Sequence, residues 1–184
     1  MLFCITALRR YHLFLVLCLS ALWGCTPELV NTSSNVFDSS VFIQAQSKVL
    51  QAKKAKLQKI ANGSEKQELT LPNWERELFL FAEANINKNL IRDQYTCSDT
   101  PQETLYTAKD SRFKVKSLRI LKNAQGQPKQ IDIHYKETSK LYNIERAMSL
   151  ELRQNVLKRY RIEGVQKVFG LSPIQYRLDA EVVF

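Results

Sequence analysis

Two stretches of this 184-residue chain alternate between apolar and polar side chains, which is the signature of half-buried β-strands. In 130–136, Ile131, Ile133 and Tyr135 alternate with Asp132, His134 and Lys136; in 175–184, Tyr176, Leu178, Ala180 and Val182 alternate with Arg177, Asp179 and Glu181. A period of two sends each set to one face, and a polar second face marks an antiparallel sheet with one side in water. Residues 113–122 supply the neighbour of the first strand, because Asn123, Gly126 and Pro128 give the connection turn chemistry. With 45% hydrophobic and 24% charged residues, the chain has the composition of a globular protein.

The remaining segments read as helices and connections. Residues 41–62 are rich in helix formers and end at Asn62-Gly63, a C-cap pattern. Val36, Ile43, Leu50 and Leu57 lie seven apart with Ile60 following, a spacing that suits a narrow seam against a partner, although Gln46 and Lys53 occupy the intervening places. Residues 65–72 read as a linker. Asn73 is placed to cap a second helix to about Arg92, with Trp74, Leu78, Phe81, Ala82 and Asn85 on one face. The polar stretch 95–110, with Pro101, reads as a loop. A third helix is expected over 143–161 from Ile144, Ala147, Met148, Leu152, Val156 and Tyr160; Leu150 and Leu157 fall off that stripe, and Gly164 follows as a stop. The expected fold class is α+β, an N-terminal helix and linker followed by a small antiparallel sheet (helix, strand, strand, helix, strand) packed on helices.

The N-terminus reads as an address. Arg9 and Arg10 precede a short apolar run that ends in Leu22-Trp23-Gly24-Cys25, too short a stretch to span a bilayer. This ending resembles the lipobox of bacterial lipoproteins: an aliphatic residue three before the cysteine, a small one just before it, and the cysteine. The resemblance covers the leader alone. It implies a diacylglycerol thioether and fatty-acyl chains such as palmitate on Cys25, membrane anchoring through that lipid, and, because Thr26 rather than Asp follows, the periplasmic face of the outer membrane. The expected organisation is a signal peptide at 1–24, a flexible tether at 25–40, a basic helix at 41–62 and an α+β domain at 65–184.

Counting removes much chemistry. Cys4 and Cys18 leave with the leader and lipid consumes Cys25, so Cys97 stands alone and is expected to be a packed thiol. One mature histidine, His134, sits on the polar strand face. That inventory offers no zinc or iron-sulfur ligand set, and no nucleophile elbow, P-loop or dinucleotide motif is present; no metal or cofactor is expected. Removing Arg9 and Arg10 leaves 25 Lys and Arg against 18 acids, a net +7. For an exported chain this charge points to anionic lipid or peptidoglycan rather than nucleic acid.

Lys48, Lys53, Lys54, Lys56 and Lys59 meet no acid between Ser40 and Gly63 and are the candidate contacts to such a surface, their alternative being a solvated helix face. The function expected is that of a non-enzymatic accessory or assembly subunit of a cell-envelope complex, with an envelope protein as partner. A cell-wall or anionic-ligand binding module is the alternative, and a glycan hydrolase using two carboxylates is the third.

Overall fold

The computed structural model describes residues Val36–Phe184, so the leader, Cys25 and most of the tether lie outside the described residues. The architecture corrects the α+β expectation. A nine-stranded, wholly antiparallel sheet dominates the described residues, and one substantial helix with two short ones packs on a single face. The strands are β1 Lys56–Ala61, β2 Glu65–Leu69, β3 Tyr95–Asp99, β4 Glu103–Ala108, β5 Val115–Lys122, β6 Pro128–Thr138, β7 Tyr142–Arg153, β8 Val156–Val168 and β9 Ile174–Val183, in the sheet order β2-β1-β9-β8-β7-β6-β5-β4-β3. The helices are α1 Ser39–Ala52, α2 Trp74–Glu77 and α3 Phe79–Glu83.

The largest correction concerns 143–161, which forms β7 and β8 instead of a helix. Leu150 and Leu157, the residues off the helical stripe, are buried strand residues, and Met148, Leu150 and Leu152 alternate with Ala147, Ser149 and Glu151. The chain reverses in two residues, Gln154 (φ 51°) and Asn155 (φ 62°), the left-handed pair that a tight hairpin needs. Asn62-Gly63 likewise turns a hairpin, β1 into β2, so the helix from 41 ends at Ala52 and the linker at 65–72 begins as a strand. The loop at 95–110 is the hairpin β3–β4, turning through Thr100 and Pro101.

Asn73 does cap a helix, its side chain accepting from Arg76 N–H at 3.1 Å, but helicity breaks at Leu78 and ends at Glu83. Asn85 competes with the helix there: its side-chain oxygen accepts from Asn87 N–H at 2.9 Å, and its amide donates to Asp38 and Ser40. The hairpin β5–β6 and the terminal strand form where alternation places them.

The seven-residue spacing belongs to this domain's own core. Ile43 and Leu50 of α1 are buried together with Leu57, Leu118, Ile131, Leu150, Leu157 and Val182. Gln46 is also buried; its amide donates to the Asn155 carbonyl at 2.9 Å and its oxygen accepts from Leu157 N–H at 2.8 Å, which locks the helix to the β7–β8 turn. Asp38 caps α1 through Val41 N–H at 3.0 Å. Burial opposes its ionisation, but hydrogen bonds from Ser40, Val41 and Asn87 outweigh that and hold its carboxyl below the usual range. Beneath α2, Lys59 Nζ pairs with Glu77 at 3.0 Å and Tyr160 Oη donates to the same carboxylate at 3.1 Å, stitching the short helix to the sheet.

Candidate functional site

The helices cover only part of their face. β6 to β9 are the longest strands, and their fully buried rows stop at Ile133, Met148 and Ile162. Beyond that level the same face carries Tyr135, Glu137, Tyr142, Arg146 and Tyr176, half-buried and bonded to one another. Glu137 accepts from Tyr135 Oη at 2.7 Å and Tyr142 Oη at 2.9 Å and pairs with Lys114 at 2.7 Å. The Lys114 ammonium, with the Tyr135 hydroxyl, holds its carboxyl down at about 2, whereas burial and then Glu137 push Tyr135 up to about 12. Arg146 lies over the Tyr135 ring, 5.5 Å from its centre, and donates Nε–H to Tyr176 Oη at 2.8 Å. The Tyr176 ring covers Gly164 so closely that an added Cβ would come within 2.8 Å of its hydroxyl.

This cluster stiffens a four-stranded ribbon that ends in two adjacent turns. Phe169 N–H donates to the Leu141 carbonyl at 2.8 Å, joining the β6–β7 connection to the one between β8 and β9. At this end Leu141 is 69%, Phe169 82%, Leu171 64% and Ile174 61% exposed. Lys140 and Lys167 flank them, exposed and without a carboxylate partner among the described residues. Nothing in the sequence brings Leu141 beside 169–174; only the pairing of Tyr142 with Val168 does that.

The opposite face of the sheet is polar. A groove of about 760 Å³ crosses it, lined among others by Gln58, Lys66, Glu151, Arg159, Arg161 and Asp179. Of its carboxylates, Glu151 pairs with Arg159 at 3.2 Å, Glu181 with Lys158 at 3.4 Å, and Asp179 with Arg177 at 2.7 Å and with Arg161, while Glu68 makes no ion pair among the described residues. Arg177 first, and Arg161 with it, hold Asp179 below the ordinary carboxylate range, the opposite of what a proton-donating acid in glycan cleavage needs. His134 lies on this face, exposed, its Nε2 3.0 Å from Glu145. Among the described residues no three His, Cys, Asp or Glu side chains gather to hold a metal ion.

The lysines read from the sequence are dispersed. Lys48, Lys53 and Lys54 lie on α1 or just past it, Lys56 is exposed on β1, and Lys59 is withdrawn into its pair with Glu77. Lys53 stands over the Phe184 ring at 5.8 Å. Cys97, expected to be packed, is exposed at the middle of edge strand β3. Among the described residues no helix is long and apolar enough to cross a membrane.

The described residues thus form a single antiparallel sheet with helices on one face and an apolar-tipped end. No known protein family, curated protein or solved structure matches the chain.

Proposed function

We propose that this protein is a membrane-anchored lipoprotein of the outer membrane's periplasmic face, acting as a non-enzymatic accessory or assembly subunit of a cell-envelope complex. Cys25 carries the lipid, and the domain beginning at Val36 is the working part. The observation that carries the reading is the joined pair of turns at the end of β6 to β9, where four large apolar side chains, Leu141, Phe169, Leu171 and Ile174, are exposed at one end of the sheet. Large apolar side chains concentrated and exposed at one end of a domain mark a place where it meets something else. The lipobox-like Leu22-Trp23-Gly24-Cys25 supplies the membrane half of the reading.

Two measurements test it. Intact mass should show a chain starting at an acylated Cys25, and Cys25→Ser should move the protein into the soluble periplasmic fraction; an unlipidated wild-type chain would overturn the anchor. Affinity capture from native membranes should return the same envelope protein with wild type and with Cys25→Ser in detergent. Binding to peptidoglycan that vanishes at high salt and on charge reversal of Lys53, Lys54 and Lys56 would favour the cell-wall module instead, because exposed charges are screened as the Debye length falls from about 10 Å to about 3 Å.

A further inference from the structure

We propose that the paired turns at 139–142 and 169–174 insert into the headgroup region of an anionic lipid bilayer, with Leu141, Phe169, Leu171 and Ile174 as the wedge and Lys140 and Lys167 as the phosphate contacts. The inference rests on the reading of the projecting end as a docking surface and names what it docks on. The apolar side chains lie on the outside of two turns at the tips of the longest strands, so they form a projection. A fluid bilayer accepts such a wedge, whereas a packed protein interface needs a matching recess.

The charge of the tip has one sign. Residues 138–144 and 166–176 contain no Asp or Glu, while Lys140 and Lys167 lie within them; Arg177, further down β9, is paired with Asp179. The nearest carboxylates are spoken for: Glu137 by Lys114 and two tyrosines, Glu145 by Lys136 and His134. Apolar wedge and flanking lysines together are the combination that binds an interface rich in anionic headgroups.

Chain reach agrees. Phe37 is fixed by its N–H to Tyr106 Oη, in the row of Tyr106, Leu118, Ile133 and Met148. The tip begins six residues along β7, at Tyr142, and three strands across from Tyr106, or about 25 Å away. Cys25 precedes Val36 by eleven positions, a stretch that spans at most roughly 36 to 40 Å. A lipid on Cys25 and the tip can therefore meet the same membrane plane.

Phe169→Trp in the mature chain starting at position 25, with Cys25→Ser to remove acylation, reads the tip directly. Vesicles of phosphatidylethanolamine with phosphatidylglycerol, carrying brominated acyl chains, should quench this tryptophan and shift its emission to the blue, relative to the parent chain with its own Trp74. Lys129→Trp, at the opposite end of β6, should be unaffected. Adding Lys140→Glu or Lys167→Glu should weaken vesicle affinity about fivefold each, and Leu171→Asp about tenfold, with melting temperature unchanged because all three side chains are exposed.

No quenching at position 169, equal quenching at 129, or equal quenching in phosphatidylcholine vesicles would overturn the proposal. So would concentration-dependent self-association abolished by Phe169→Asp, which would make the tip an interface between copies. If acylated wild type stays on membranes while the tip is unquenched, the anchor stands and this inference fails; quenching without acylation in cells gives the reverse.

Discussion

Glu137 takes two tyrosine hydroxyls and the Lys114 ammonium on one carboxylate, and its pKa of about 2 against 4.5 for a free glutamate makes it a term in stability. The folded state binds this proton more weakly than the unfolded one, so its contribution is complete above about pH 4.5 and fades as pH falls toward 2. Allowing for partial solvation it is worth about 1 to 3 kcal/mol. Urea unfolding of Glu137→Gln should show that deficit at pH 7, narrowing toward zero near pH 2; a deficit constant with pH would contradict the assignment. At Gly164, alanine would drive a methyl group into the Glu145 carbonyl and the Tyr176 hydroxyl. Thermal melts of Gly164→Ala should register a loss of about 1 to 3 kcal/mol, the usual cost of overpacking, and an unchanged melt would mean that Tyr176 moves freely.

The seam of α1 is an internal packing surface, and that changes what its variants report. Leu50 is fully buried against the sheet, so Leu50→Ala should cost about 2 to 5 kcal/mol, measured by denaturant titration, and Leu50→Asp should prevent folding. Gln46 looks like a defect in an apolar repeat, yet it is the only side chain hydrogen-bonding Leu157 N–H and Asn155 C=O across the described residues. Gln46→Leu completes the repeat and orphans a buried N–H, for a net loss of about 1 to 3 kcal/mol; a gain in stability would show that the repeat itself, and not the bonds to the β7–β8 turn, fixes the helix.

For the whole molecule, β1 pairs with β9, so the β1–β2 hairpin is attached to the rest of the sheet through the C-terminal strand. The open edges are β2 and β3, both five residues long, and β2 carries Glu65, Lys66 and Glu68, charges that discourage pairing with another sheet. Protection against hydrogen exchange should therefore be greatest in β6 to β8, beneath α1, and least in β2 and β3. Exchange from β7 as fast as from β2 would mean that the ribbon opens independently of the core.

Local pattern determined the strands at 130–136 and 175–184 and the cap at Asn73, because there a single face is buried and alternation or side-chain chemistry is enough. Residues 143–161 were not legible in the same way: Ala147 and Arg146 interrupt the alternation, and the turn at Gln154-Asn155 lacks the glycine that announces a two-residue hairpin. Asn62-Gly63 was visible as a chain reversal, but whether it ended a helix or turned a hairpin depended on β9 being available to pair with β1. The lipobox-like cysteine and the charge balance are properties of the chain alone. The tip is not, since Leu141 and Phe169 become neighbours only through the β7–β8 pairing, and they are exposed because they lie in turns beyond its last pair, Tyr142 with Val168.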